Sequence, residues 1–427
     1  MTVFKRFENG LSVHLKEIHT APIISHFIWY RVGSRDENPG QRGISHWVEH
    51  MQFKGTPKYP AGVLDRLISR EGGMWNAFTN LDWTAYFQVM PASRIDIAID
   101  LEADRMQNSL YEPQEVDAER TVILSEMEGN ENEPLFRLGM AMQREAFDEH
   151  PYRYEVIGER EDLEAMTRED LYGYYRSHYC PGNALVSVAG DFDTAEMLTK
   201  LEEAYASIPA GTQPAPLSVV EPQHNGERRV EIQGAGATTY LQIAYPAPAG
   251  SSDHFFPLNV LDSLLTGPSS LSMFGGGGIS NRTSRLYQAL VDGDLAVAVQ
   301  GNLQTTIDPY LYHVLLVVHP DQKPEDVLAA FDAQIERVQN DKITAGEIER
   351  AVKQAKALFA YSTESVTNQA FWLGYAEMFS GYKWFENYIE SLEKATPAAI
   401  QACARQYLDP GRRVVGIYRP VDNGGAA

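Results

Sequence analysis

His46-Trp47-Val48-Glu49-His50 places two histidines four residues apart with a glutamate beside the second. Residues at i, i+3 and i+4 of a helix project to one side, so a helix over this stretch makes one face of two imidazoles and a carboxylate. Two neutral imidazole nitrogens can share one Zn²⁺, which leaves Glu49 beside a metal-bound water. His-x-x-Glu-His is the inverse of the commoner zincin order and is itself a zinc-peptidase pattern. Average residue frequencies give the pattern by chance in roughly one chain in a hundred of this length. A solvated polar helix face therefore remains the alternative until a third ligand is found.

The helix is expected from Ile44 to just before Gly55-Thr56-Pro57. Upstream, Leu11 to Glu17 and Ile24 to Val32 read as strands joined at Thr20-Ala21-Pro22. Downstream comes a short helix from Gly62 to Arg70, then strands Met74 to Thr79 and Trp83 to Met90. Ile95, Ile99, Leu101 and Met106 keep a helical spacing. A helix from about Glu112 to Glu128 carries Glu119 and Glu126 seven apart, on one face after two turns, and these are candidates for the missing ligand. Helices at Leu135 to Phe147, Arg168 to Tyr175 and Ala195 to Ala206, with a strand at Ala184 to Ala189, complete the first half.

Pro209 to Gly226 is rich in Pro and Gly and lacks periodicity, which predicts a linker. The expected domains are a zinc-bearing lobe over 1–208, a linker over 209–226 and a related lobe without metal ligands over 227–427. Beyond the linker the order repeats in outline. Strands are expected at Arg229 to Gln233, Thr238 to Tyr245, Leu295 to Leu303, Tyr310 to Val318 and Arg413 to Tyr418. Helices are expected at Asp253 to Leu265, Pro324 to Gln339, Ala345 to Ala360, Thr367 to Phe379 and Pro397 to Tyr407. Laid without gaps on the zinc helix, Asn259-Val260-Leu261-Asp262-Ser263 falls under His46 to His50. Gly275 to Gly278 lacks the Gly-Lys ending of a phosphate loop and reads as a surface loop. The predicted fold is α+β: two related lobes, each a mainly antiparallel sheet packed by helices.

The chain of 427 residues has 44% hydrophobic and 22% charged residues, an ordinary globular composition, and a net charge of -22. That charge argues against nucleic acid as the main partner. Two distant cysteines, Cys180 and Cys403, suggest neither a disulfide framework nor a thiolate site. Lys5, Arg6 and Glu8 interrupt any leader-like apolar run, and no stretch reaches the roughly 18 apolar residues of a membrane span. The expectation is a soluble, cytoplasmic protein, with the periplasm as the alternative if a leader has been removed.

Several spaced motifs resemble the family of pitrilysin, insulin-degrading enzyme and the mitochondrial processing peptidase. They are the inverted zinc motif, Gly72-Gly73 followed by Asn76-Ala77-Phe78-Thr79, Glu102-Ala103-Asp104-Arg105-Met106, Glu119-Arg120 with Glu126, and His150-Pro151-Tyr152. The resemblance implies that His46, His50 and Glu126 ligate one zinc and that Glu49 is the general base. It implies that Glu119 supports the site, and that Asn76, Ala77, Phe78 and Thr79 bind an extended peptide by strand addition. Glu126 lies 76 residues after His50, at the family's spacing.

One departure bears on partners. The family carries an arginine and a tyrosine in the segment after Ser284-Arg285-Leu286-Tyr287, where they help bind and polarise substrate; here Val291 and Val297 stand in their places. Neither can donate a hydrogen bond from its side chain. The expectation is therefore a zinc-dependent endopeptidase for unfolded peptides, working as the zinc-bearing half of a two-chain clamp whose homologous partner brings the Arg/Tyr pair. A self-sufficient homodimer and a non-catalytic scaffold subunit are the alternatives.

Overall fold

The computed structural model describes residues 2–212, 217–268 and 279–421; the Gly275–Gly278 run and the Gly/Ala tail lie outside them. Contacts divide the chain into two compact units. The first comprises residues 1–128, 154–219 and 363–382, and the second the remainder.

The first unit is built on six strands: β1 (Thr2–Arg6), β2 (Ser12–Glu17), β3 (Ile23–Tyr30), β4 (Met74–Thr79), β5 (Thr84–Pro91) and β6 (Ala184–Gly190). Their order is β1-β2-β6-β3-β5-β4, and every pairing is antiparallel except β2 with β6. β6 is buried at every position, as its Ala/Val/Leu run requires for a strand covered on both faces. One face packs against helix Val366–Phe379, where Phe27, Trp29 and Phe371 lie with ring centroids 5.4 to 6.1 Å apart. Helix Ile95–Asn108 packs on β3 and β5, and helix Ile44–Met51 meets the outermost strand, β4.

The second unit repeats this plan. Strands β7 (Arg228–Gly234), β8 (Tyr240–Ala247), β9 (Ala296–Leu303), β10 (Tyr310–Val318) and β11 (Val414–Pro420) run in the order β7-β11-β8-β10-β9, with β7 and β11 parallel and the rest antiparallel. Strand for strand, this is the order and sense of β2-β6-β3-β5-β4. Helix Phe255–Leu265 meets β9, the edge strand, as the zinc-motif helix meets β4. The weak repeat of the sequence is thus a repeat of topology.

The contact division falls between Val219 and Val220, inside the Pro/Gly-rich stretch, but it contains an exchange that a single cut there does not. Helix Pro134–Ala146, from the first half of the chain, packs on β7 and β11; helix Val366–Phe379, from the second half, packs on β3 and β6. Close approach fixes both seats. Gly374 lies so near Trp29 that an added Cβ would stand 2.0 Å from its indole nitrogen, and Gly416 lies against Met142. Strand β1 was not predicted, because its charged Lys5 and Arg6 are exposed and only an antiparallel partner, β2, orders it. Among the described residues no helix is long and apolar enough to cross a membrane.

Candidate metal centre

The zinc-motif helix is held at both ends. Gly43, at φ 94°, begins it, and the buried Glu37 carboxylate accepts from the backbone N–H groups of Gly43 (2.8 Å) and Ser45 (2.9 Å). A carboxylate over free N–H groups at a helix start satisfies orphan donors and suits the helix dipole. Burial nevertheless pushes the Glu37 carboxyl up to about 8, against the pull of those two bonds. Trp47 is buried under Arg120, whose guanidinium lies 4.7 Å from the ring and donates to the carbonyls of Leu163 and Met166.

His46 and His50 emerge one turn apart with their Nε2 atoms 3.2 Å from each other. A Glu126 carboxylate oxygen lies 3.9 Å from His46 Nε2 and 3.8 Å from His50 Nε2. Two nitrogens each about 2.05 Å from a tetrahedral zinc lie about 3.3 Å apart, so the histidine pair already has the spacing of two zinc ligands. Glu126 stands about half an ångström wide of the same figure. His46, His50 and Glu126 together form one of two groups of metal-competent side chains among the described residues. In the other, Asp148, Glu221 and His224, the carboxylates are already engaged: Arg228 bonds both Asp148 oxygens at 3.1 Å, and Glu221 accepts from the backbone N–H groups of Asp148, Glu149 and His150. The nitrogen and oxygen donors of the first group, with no thiolate, fit zinc.

Around these three, the remaining side chains have distinct contacts. Glu119 meets His50 Nδ1 at 2.7 Å, which fixes the ring with Nε2 turned toward His46. Its second oxygen is paired with Lys54. Burial works against ionisation of Glu119, but the His50 and Lys54 bonds outweigh it and hold the carboxyl below its ordinary range. Burial likewise opposes charge on His50, but the Glu119 bond together with the charges of Glu49, Glu119 and Glu126 outweighs it and raises the ring's pKa. Burial, helped by the nearby His50, drives His46 down to about 3. Lys54, four residues beyond His50, was not singled out in the sequence. Its place after the helix gave no periodic signal.

Glu49 is nearly buried and accepts from the Thr79 hydroxyl at 2.6 Å, which ties the helix to β4. Burial raises its carboxyl above the ordinary range, only partly offset by the Thr79 bond and the His50 charge. A carboxyl whose pKa is raised holds a proton more readily than a free one, which suits it to take up and return a proton.

The strand β4 itself is the open edge of its sheet. Asn80 N–H donates to the Trp83 carbonyl across the turn at 2.8 Å, and Asn76 and Phe78 face Phe87 and Ala85 in register. The even-numbered residues thus spend their backbone groups on β5, and Trp75, Ala77 and Thr79 turn theirs to the open side. There the Ala77 N–H is met only locally, by the Asn76 side chain at 2.9 Å. Thr79 faces the zinc-motif helix, whereas Phe78 stacks on Phe87 across the other face of the sheet. Asn76, Ala77, Phe78 and Thr79 therefore divide between two faces and are not one uniform surface. Val291 and Val297 lie in the second unit, the first ending a short π-helical turn and the second 56% exposed on β9.

Two family models match the chain in succession: Insulinase (Peptidase family M16) over residues 12–160 and Peptidase M16 inactive domain over residues 165–355. The chain belongs to peptidase family M16. It is a zinc metallopeptidase by that membership and by its relatives. An uncharacterised zinc protease of Mycobacterium leprae is 29% identical over 95% of this chain and 88% of its own length. The beta subunit of the mitochondrial processing peptidase of Lentinula edodes is 26% identical over 95% of this chain and 87% of its own. A protease from Helicobacter pylori of known structure has the same fold, with a TM-score of 0.90 and 24% identity over 98% of this chain and 99% of that one. The M16 chain described here thus pairs a family-typical two-unit fold with a metal-competent cluster in its first unit.

Proposed function

We propose that this M16 chain is an endopeptidase for unfolded peptides, with one zinc held by His46, His50 and Glu126, and that it works as the zinc-bearing subunit of a heterodimer. The observation that carries the reading is the convergence of the two Nε2 atoms and the Glu126 oxygen beside Glu49, next to an open strand edge. When bound, zinc supplies the Lewis acidity that makes a water acidic near neutral pH and polarises a peptide carbonyl.

The chain's own groups do the rest. An extended peptide pairs with the outward backbone groups of Trp75, Ala77 and Thr79, which gives affinity without demanding a sequence. Glu49 takes the proton of the attacking water and returns it to the departing amine. Thr79 keeps its carboxylate aimed, and Glu119, braced by Lys54, orients His50. Folded proteins make poor substrates because their backbone groups are already paired.

The heterodimer follows from Val291 and Val297, which offer no side-chain donor to an oxyanion, and from the chain's full-length likeness to a relative named as a subunit. The test is reconstitution. Purified alone with zinc, the chain should cleave a quenched unstructured peptide barely above background. An M16 homologue that lacks the His-x-x-Glu-His motif but carries the Arg/Tyr pair should restore cleavage, and a chelator should abolish it. Full activity of the lone chain would exclude the two-chain arrangement, and activity that survives chelation would exclude the zinc mechanism.

A further inference from the structure

Beneath β4 lies a buried ion pair that no step above uses. Glu102 and Arg105, three apart on helix Ile95–Asn108, are 0% and 2% exposed. Arg105 donates from Nε to Glu102 at 2.7 Å and again from Nη2, and Gln88 on β5 donates to the same carboxylate. His26 on β3 meets Gln88 at 3.1 Å, so the carboxylate is anchored to two strands of the sheet. The guanidinium carbon then lies 4.3 Å from the ring centre of Tyr86, 5.6 Å from Trp75 and 5.7 Å from Phe53. Arg105 Nη1 is buried and has no hydrogen-bond partner among the described residues, so the guanidinium is held by Glu102 and by its contacts with the rings.

These three rings belong to the parts that must stay in register. Phe53 follows the zinc-motif helix, Trp75 lies on β4, and Tyr86 lies on β5; Phe53 and Trp75 are 4.6 Å apart. Trp75 is at one end of the outward-facing strip of β4, and Thr79, bonded to Glu49, is at the other. A buried ion pair adds little net stability, since desolvation offsets its attraction and apolar replacements are often neutral or better. What it does provide is direction: the bidentate bonds fix the guanidinium plane, and the rings must fit that plane.

We propose that Arg105 is a positioning residue, set by Glu102, that holds the peptide-binding edge of β4 in line with Glu49. The inference rests on the strand-addition reading of β4. It gives Arg105 no contact with substrate or metal. Loss of the guanidinium releases the Trp75 end of β4, leaves the ligands His46, His50 and Glu126 where they are, and weakens peptide binding more than the chemical step.

The test uses the zinc-loaded chain, with its partner subunit if the wild type requires one, and β-casein, a protein without stable fold, as substrate. Arg105→Lys keeps the charge and loses the planar fork. The double variant Glu102→Met with Arg105→Met removes the ion pair at similar volume and guards against a failure to fold. Both should keep stoichiometric zinc and wild-type kcat within about three-fold, and raise KM about ten-fold. Amide exchange over residues 74–79 should speed up by a similar factor while the zinc-motif helix keeps its protection. An unchanged KM with unchanged exchange in the folded double variant would overturn the inference, as would loss of zinc. If wild-type protein neither binds nor cleaves casein, the peptidase reading fails instead, and exchange over 74–79 alone decides the role of Arg105.

Discussion

The two units share one strand order, and each sets a helix against an edge strand, yet only the first makes a metal-competent face. Where helix Ile44–Met51 shows His46, Glu49 and His50, the gap-free match in helix Phe255–Leu265 shows Asn259, Asp262 and Ser263. The carboxylates differ in their partners as much as the ligands do. Glu49 accepts from Thr79 on the edge strand and adjoins the histidines. Asp262 is 1% exposed and accepts from Thr266 and, at 2.7 Å, from Tyr312, so it is consumed by its own core. The same frame carries a metal-competent cluster in one copy and only packing at the matching positions in the other. The frame is therefore not what makes the site.

The sharpest way to break this comparison is Glu49→Gln, which keeps the shape and removes the carboxylate proposed as the base. Turnover should fall by about 10³ with zinc content unchanged, measured by peptide hydrolysis and metal analysis on the same sample. A fall of less than ten-fold would place the proton transfer elsewhere. The seats of the exchanged helices come next. Gly374→Ala drives a methyl into the rigid Trp29 indole and should cost about 3 kcal/mol in urea unfolding. Gly416→Ala presses on the middle of the unbranched Met142 side chain and on a Leu138 methyl, which can shift more readily than an indole, and should cost less, about 1 to 2 kcal/mol. Equal costs would mean that both seats relax alike.

Smaller effects sharpen the contrast. Asp262→Ala removes the carboxylate that accepts from the buried Tyr312 and Thr266 hydroxyls and should cost about 2 kcal/mol of stability, with turnover per folded molecule unaltered. A drop in turnover would give the second carboxylate a part in the chemistry. His26 supplies a pH dependence: burial lowers its pKa below the ordinary 6.5, so the fold refuses a proton that the unfolded chain accepts. Its contribution is fully present above 6.5 and shrinks as pH falls below that value. Comparing urea midpoints at two pH values, the stability gap between wild type and His26→Asn should close on acidification, by at most about 1.4 kcal/mol per pH unit. A gap independent of pH would show that His26 titrates normally.

Much of this was readable because it is local. Helix period, Gly and Pro punctuation and alternation placed most strands and helices, and the motif spacing brought Glu126 and Glu119 to His46 and His50 without coordinates. The α+β expectation of two related lobes matches the two sheets. Local pattern could not show that helices Pro134–Ala146 and Val366–Phe379 cross to the opposite unit, since an amphipathic helix records that it packs and not on what. Nor could it show β1, whose order depends on pairing, Lys54, whose partner Glu119 is far away in sequence, or the rings of Phe53, Trp75 and Tyr86 that gather on Arg105.

The sequence by itself determined which atoms are chemically able to hold a metal or move a proton: imidazoles and carboxylates at helical spacing, and valines at positions where the family resemblance leads one to expect donors. Tertiary structure alone decided how those atoms are tuned. The 3.2 Å between the Nε2 atoms, the raised Glu49 carboxyl and the open backbone of β4 arise from burial and long-range pairing. Desolvation and strand order are properties of the assembled fold, and no local stretch of chain contains them.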